Sequence, residues 1–197
     1  MSKLSKIVSL ALAAAVSFAA TSCATAGDGN GSIESKRRSV LLVWKPTGDY
    51  INYAGPSVAA VGLGDISVSV GDGPVWTNIE KKNKPVSFYC DKEQIAKLAR
   101  TAFSGFYKAA DAKYRLNIDV TSFTVTEANM YNGMVTVNLS LADSNGATLW
   151  SGTDEGECKR WGRSLSADNF NEAVGSCLSN IVLKSLKDYP ELQKYFR

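Results

Sequence analysis

The alternation of apolar and polar positions along the chain predicts most of its strands. A two-residue period is typical of a strand with one buried and one exposed face, and short apolar runs between turn residues are typical of fully buried strands. The apolar parity changes after Val120, so we expect a β-bulge near Thr121 and Ser122. The predicted strands are 39–44, 66–70, 86–89, 116–125, 135–141 and 147–160, the last two joined by a turn at 143–146.

A period of three to four residues predicts a first amphipathic helix. Its apolar stripe runs from Ile95 to Ala110, which is the spacing of a helix with one buried side. Asp91 with Gln94 three residues later resembles a capping box at the start of this helix. Aromatic side chains in such a stripe usually belong to the core, and we interpret them so.

A second amphipathic helix follows the last strand. Its stripe runs from Phe170 to Leu186, Ser166 or Asp168 can cap its start, and Pro190 ends it. The two helices are separated by an antiparallel meander. This order predicts an α+β fold, a two-layer sandwich whose mainly antiparallel sheet carries two helices packed on one face.

The first 22 residues have the parts of an export signal. Lys3 and Lys6 precede an apolar run over 7–20, which is too short for a membrane-spanning helix. The run ends at Cys23 in a sequence that resembles a bacterial lipobox, whose cysteine becomes the acylated N-terminus. We therefore expect lipidation of Cys23. The alternative is an ordinary signal peptide that is cut after one of the alanines.

Residues 23–38 are predicted to be a flexible tether and residues 39–197 a single domain. The tether is rich in Gly, Ser, Asn and Asp, which cannot build a core. Ala24, and not Asp, follows the cysteine, and in enterobacteria-like sorting this resemblance implies the outer membrane. We expect the domain to face the periplasm and to meet the membrane through its lipid and another envelope protein or lipid component.

The composition excludes several kinds of chemistry. The 197 residues include no histidine, which removes Ser-His-Asp and Cys-His catalysis and every His-ligated metal site. Without residues 1–22, 20 basic residues remain against 19 acidic ones, so no electrostatic argument favours nucleic acid. We predict no cofactor, no metal and no catalytic residue.

Two motifs could suggest chemistry, but each has a simpler interpretation. Gly62-Leu-Gly64 lacks the third glycine of a dinucleotide fingerprint, so we interpret it as a loop that enters a strand. Asp154, Glu155 and Glu157 do not follow the order of a calcium loop. We expect them on a solvated strand face, with ion pairs to the arginines that follow.

Three cysteines remain in an oxidising compartment once Cys23 is acylated. We predict a disulfide between Cys158 and Cys177, because a helix folding back over the last strand brings them to similar height. Cys158 also shares strand parity with Gly156. The alternative is buried free thiols that act as small apolar groups.

Residues 45–86 are the predicted partner surface, because they are rich in Gly and carry aromatic and basic side chains typical of interfaces. Tyr53, Trp76 and Lys82 are its candidate residues, with Trp76 in a loop. We predict a non-enzymatic, tethered binding or scaffold module. The alternative is an envelope hydrolase that uses carboxylates alone.

Five segments carry a resemblance to a known family: Val40–Pro46, Gly64–Asp72, Tyr114–Val120, Leu139–Trp150 and Leu186–Asp188. Together they resemble the YajG-type family of bacterial lipoproteins and, more distantly, the auxiliary lipoproteins of lipid-trafficking ABC transporters. The resemblance implies the fold and an envelope location, since the family has no established activity. Asp72 is followed by Gly73 and Pro74, where the family has Asp-x-Arg.

Overall fold

The computed structural model describes residues 37–80, 84–162 and 165–197. The predicted signal peptide, Cys23, nearly all of the predicted tether and Lys82 lie outside the described residues. Residues Lys36–Arg197 form one compact unit. Within the described ranges, no helix has the length and apolar character needed to cross a bilayer.

The described part of the chain combines helices with a larger amount of sheet, which confirms a mixed fold of both element types. It contains seven strands and four helices. In chain order they are β1 Arg38–Ser39, α1 Gly48–Ile51, β2 Val61–Val68, β3 Trp76–Asn78, β4 Val86–Tyr89, α2 Lys92–Ser104, β5 Tyr114–Glu127, β6 Met130–Ala142, β7 Thr148–Trp161, α3 Ala167–Lys187 and α4 Pro190–Gln193.

Strand β5 is the centre of the sheet, whose order is β1-β4-β3-β5-β6-β7. One edge of β5 pairs with β6, and its other edge pairs first with β2 and then with β3. The long β5–β6–β7 pairings are antiparallel, as predicted, whereas β1–β4, β2–β5 and β3–β5 are parallel. The predicted bulge is confirmed between Val120 and Ser122.

The core lies where α2 and α3 pack on the sheet. Helix α2 contacts β2, helix α3 contacts β6 and β7, and the two helices contact each other. Alternate side chains of β5 and β6 and the apolar stripes of both helices join in one buried cluster. The opposite side chains of these strands stay uncovered by either helix. The apolar stripes of the helices and the alternation in the strands therefore predicted the position of the core correctly.

The strand predicted at 39–44 is wrong beyond Ser39. We call residues 40–47 the strap. Only Arg38 and Ser39 pair with the sheet as a strand, followed by one hydrogen bond from the Val40 N–H to the Tyr89 carbonyl at 2.9 Å. Arg38, the last residue of the predicted tether, therefore belongs to the fold. The strap instead crosses the helices, and beyond Val40 helix side chains, not a neighbouring strand, bind its backbone. Its Val43 N–H donates to Asn171 Oδ1 at 2.8 Å and its Thr47 N–H donates to Ser179 Oγ at 3.2 Å.

A stripe on α3 holds the strap. Asn171, Gly175 and Ser179 follow each other at four-residue steps and so share one side of the helix. Asn171 Nδ2 also donates to the Leu41 carbonyl at 3.2 Å. A Cβ on Gly175 would lie 2.0 Å from the Lys45 carbonyl oxygen, so only glycine lets the strap approach. The strap therefore lies outside a simple two-layer arrangement.

The helix ends differ from the prediction in two respects. Helix α2 ends at Ser104 and not at Ala110, because the following segment turns to the free edge of β2, where the Leu63 N–H donates to the Tyr107 carbonyl at 3.2 Å. Asp91 is the N-cap residue of α2, but its side chain makes no cap hydrogen bond. Helix α3 starts as predicted, with the Ser166 side chain as its cap.

Candidate functional site

The uncovered side of β2, β5, β6 and β7, which we call the open face, carries a polar row. Ser67, Asp119, Asn138 and Thr153 stand side by side across the four strands. Ser67 Oγ donates to Asp119 Oδ1 and Thr153 Oγ1 donates to Asn138 Oδ1, each at 2.8 Å. A row of four strands spans about 14 Å at ~4.8 Å per step.

Further polar groups extend this row into a shallow depression of about 390 Å³. Ser69 Oγ gives Asp119 a second hydrogen bond at 2.8 Å. The Asp65 N–H donates to Asn117 Oδ1 at 2.9 Å, where β2 bulges. Charged carboxylates accept strong hydrogen bonds from hydroxyls, so the row is held in one arrangement and can present fixed donors and acceptors to a partner.

The Gly62–Gly64 segment is part of β2 itself, which corrects its interpretation as a loop that enters a strand. A Cβ on Gly64 would lie 2.1 Å from Asn117 Oδ1, and one on Gly62 would lie 2.3 Å from the Ala109 carbonyl oxygen. Both glycines therefore allow a close approach by neighbouring groups. The segment builds the margin of the open face and forms no phosphate cradle.

The far end of the open face is apolar. Trp161 is 74% exposed and Met134 40%. Beside the open face, Ile79, the residue that follows β3, is 44% exposed. Met130 pairs directly with Trp161 across β6 and β7. Aromatic and Met side chains are enriched in protein interfaces relative to the rest of the surface. A polar centre beside an exposed apolar end is an arrangement that can bind another protein.

Glu127 stabilises this end of the sheet from the core side. Its side chain is fully buried and accepts hydrogen bonds from Trp76 Nε1 and from the Leu165 N–H, each at 3.0 Å. Leu165 has a φ of 53°, a left-handed conformation that costs a non-glycine residue about 1–2 kcal/mol. Burial, together with the neighbouring Glu127, raises the pKa of Tyr131 to about 12.

Asp154 points toward the helices, which corrects its placement on a solvated face. It is 4% exposed, and its Oδ1 lies 3.8 Å from Lys184 Nζ. Burial raises the pKa of this carboxyl, while Tyr189 and Lys184 act in the opposite direction. Its Oδ2 has no hydrogen-bond partner within the described structure. Asp154 is thus a buried acid in the helix–sheet contact.

Glu155 and Glu157 do lie on the exposed side of β7, as predicted. They border a groove of about 580 Å³ beside α3. Asn180 and Lys184 reach over this groove and donate to the Glu157 and Glu155 carbonyls at 3.3 and 2.7 Å, which covers the free edge of the sheet. An acid–base pair needs two carboxyl groups in different environments, and these two share one exposed strand.

Of the predicted partner residues, the two that the structure describes, Tyr53 and Trp76, do not share one surface. Trp76 is 1% exposed and stacks on Phe88 and Phe170, with ring centroids 4.3 and 5.1 Å away, so its assignment to an exposed loop is wrong. Tyr53 is half-buried against Phe106, and Lys187 Nζ lies 5.2 Å from its ring centre. Phe170 and Lys187 lie near opposite ends of α3, about 25 Å apart at 1.5 Å per residue.

The described cysteines are free thiols, so the structure does not contain the predicted disulfide between Cys158 and Cys177. The geometry behind that prediction is nevertheless present, because α3 crosses β7 at Cys177 and Cys158 contributes to the raised pKa of its thiol. Burial is the larger cause and raises the pKa of Cys177 to about 12. Burial also raises the pKa of Cys90 to about 11.

Two of these features had a signal in the sequence. Ser67, Thr136, Asn138 and Ser140 occupy the outward positions of their strands, where Lys and Glu are common on solvated faces. Hydroxyl and amide side chains there can hydrogen-bond to one another across neighbouring strands. Glu127 keeps the inward parity of its strand, which indicates burial. In the described ranges, no three acidic or cysteine side chains cluster as metal ligands would.

The comparisons with known proteins give only distant likenesses. No family model and no curated protein matches the chain. A Xanthomonas campestris protein of the family DUF330 is 17% identical with a TM-score of 0.47, covering 75% of this chain and 93% of its own. A putative lipoprotein from Caulobacter crescentus CB15 is 14% identical with a TM-score of 0.39, covering 66% and 89%.

A third solved structure with a likeness to this chain is the PelC dodecamer from Paraburkholderia phytofirmans. It is 22% identical with a TM-score of 0.31, and the match covers 64% of this chain and 93% of that one. At such low identities and TM-scores no residue role is transferred. Membership of the YajG-type family stays a prediction.

Proposed function

We propose that this chain is an envelope lipoprotein whose domain binds a second envelope protein through the open face. The observation that carries the proposal is the pairing of a fixed polar row with an exposed apolar end on one uncovered sheet face. The acyl chains on Cys23 hold the domain at the outer membrane, on its periplasmic side. The domain works by binding and not by catalysis.

The charge of the open face sets the chemistry of its partner. Asp65, Asp119, Glu155 and Glu157 lie on it, with Lys159 toward the Trp161 end. At the opposite end, the Arg115 guanidinium donates to the Leu63 and Ala110 carbonyls. Complementary charge steers association and suppresses wrong partners. The partner therefore presents basic side chains to the centre of the face and apolar ones to Trp161.

Site-specific photo-crosslinking in intact envelopes tests the binding face. A crosslinker at Thr153 or Trp161 should capture the same protein, and one at Glu191, an exposed residue of α4, should not. The captured protein should be lost when Asn138→Lys places a repulsive charge in the row. Equal capture from Glu191, or capture that Asn138→Lys leaves unchanged, would overturn the assignment.

The lipid anchor has a separate test. The intact mass of the membrane-extracted protein should correspond to a chain that starts at Cys23 and carries acyl additions. A soluble product that starts at another residue would contradict it. The hydrolase alternative gains support if Glu155→Gln and Glu157→Gln together abolish function while Asn138→Lys has no effect.

A further inference from the structure

The outer side of the strap exposes apolar side chains. Val40 is buried and Leu42 and Trp44 are half-buried, whereas Leu41 is 69% and Val43 44% exposed. Alternate residues of an extended segment point to opposite sides. Since the inward residues and Asn171 already hold the strap, the outward pair is not needed to anchor it. Adjacent exposed apolar groups indicate a contact surface.

Basic side chains surround this pair. Arg37 and Arg38 are exposed at the N-terminal end of the strap. Lys97 of α2 borders a groove of about 300 Å³ that Leu41 and Val43 also line. The exposed side of α2 adds Arg100. The acids nearby are Glu93, together with Asp72 and Asp91, which border a groove with Arg37 and Arg38. Positive charge around exposed aliphatic groups complements an anionic lipid surface.

The position of this surface in the chain points to the same occupant. The described chain begins at Arg37, so 13 residues, 24–36, separate it from the predicted anchor at Cys23. Even a fully extended segment of this length spans at most about 50 Å. The strap is therefore the surface of the domain that lies closest to the proposed anchor along the chain.

We propose that Arg37, Arg38, Leu41, Val43 and Lys97, the strap surface, dock on an anionic phospholipid bilayer. Leu41 and Val43 enter the interface, and the basic side chains bind lipid headgroups. The docking rests on the proposed lipid anchor for its location, but the affinity of the surface is its own. Docking would fix the orientation of the domain at the membrane.

A chain that starts at residue 23 and carries Cys23→Ser tests the surface without any acyl group. Residues Lys36–Arg197 form a compact unit, so this chain keeps the whole fold. Cosedimentation is measured with vesicles of phosphatidylcholine containing about one-third phosphatidylglycerol. We expect binding that weakens with salt, and much weaker binding to phosphatidylcholine alone.

Variants locate the binding. Arg37→Ser and Arg38→Ser should each weaken binding about fivefold, and Leu41→Ser with Val43→Ser roughly tenfold. Trp161→Ser, which removes an equally exposed apolar group from the open face, should leave binding unchanged. Failure of the parent chain to bind, or equal loss with Trp161→Ser, would overturn the proposal.

A second copy of the chain is the other occupant to test. Sedimentation velocity that shows a dimer lost with Leu41→Ser would assign the strap surface to self-association and overturn lipid docking. If Cys23 proves unacylated in the native protein but the chain still binds vesicles, the proposed lipid anchor is wrong and the proposed docking of the strap surface stands. The two proposals therefore fail separately.

Discussion

Gly156 of β7 lies directly beneath the backbone of α3 at Cys177. A Cβ on Gly156 would lie 2.2 Å from the Cys177 carbonyl oxygen, and one on Gly133 would lie 3.0 Å from Cys177 Sγ. The middle of α3 therefore rests on two neighbouring glycines of β6 and β7. This close approach brings Cys177 next to Cys158, which pairs with Gly133 across the two strands.

Gly156→Ala should destabilise the domain by about 1–3 kcal/mol, because the new methyl group meets helix backbone and not a movable side chain. The matched control is Gly73→Ala, since nothing lies within 4 Å of a Cβ at that position. Urea unfolding of both variants measures the effect. Equal midpoints for the two variants would mean that α3 does not rest on Gly156.

Thiol labelling tests the free state of the cysteines. Denatured protein, without reductant, should label fully at Cys90, Cys158 and Cys177. In the native protein at pH 8, Cys90 and Cys177 should react slowly, because burial raises their pKa to about 11 and about 12 and leaves little reactive thiolate. If Cys158 and Cys177 in the denatured protein label only after reductant is added, they form the predicted disulfide.

The long strands and the helix stripes could be predicted because each follows a local rule. The two-residue period of β5, β6 and β7 and the bulge after Val120 depend only on which positions face the core. The cap at Ser166 and the turn that contains Gly146, with φ of 83°, are likewise local. These features form the frame on which the open face is built.

The strap and β3 could not be predicted because their partners are distant in the chain. The apolar composition of residues 40–44 fits a buried strand. The backbone of the strap is instead held at Val43 and Thr47, whose N–H groups donate to Asn171 and Ser179, far along the sequence. Trp76 lies among glycines and lysines, which indicates a loop. Its burial depends on Glu127, which satisfies its indole N–H inside the core.

Glu127→Gln should lower the free energy of unfolding by about 1–3 kcal/mol. A glutamine has one acceptor oxygen where the glutamate has two, so the N–H of Trp76 or of Leu165 would face an amide NH2. Glu191→Gln, at an exposed position of α4, is the control and should change stability little. Identical urea midpoints for both variants would show that Glu127 does not stabilise the fold.

Asp154 should make stability fall as the pH rises above the ordinary carboxyl pKa of 3.8. Burial raises the pKa of this carboxyl in the folded state, so the folded protein holds the proton more tightly than the unfolded chain. The destabilisation is absent below the unfolded pKa and fully present above the folded one.

Asp154→Asn removes this titration, and Lys184 keeps its hydrogen bond to the Glu155 carbonyl. The variant should therefore gain stability relative to the parent at pH 7 more than at pH 4. Asp65→Asn, at an exposed position of the open face, is the control. A difference between Asp154→Asn and the parent that does not change with pH would show that the Asp154 carboxyl titrates alike in the folded and unfolded chain.

Gly175→Ala should lift the strap from α3 while the core stays folded. The methyl group would take the place of the Lys45 carbonyl oxygen, which lies 2.0 Å from the Cβ position, and the strap is the element that can move. Amide hydrogen exchange at Val43 and Thr47 should accelerate, because their acceptors are Asn171 and Ser179 on the same side of α3. Exchange within β5 and β6 should stay slow, and Gly71→Ala, with open space around it, should leave the strap amides protected. Unchanged exchange at Val43 in Gly175→Ala would show that the α3 stripe does not hold the strap.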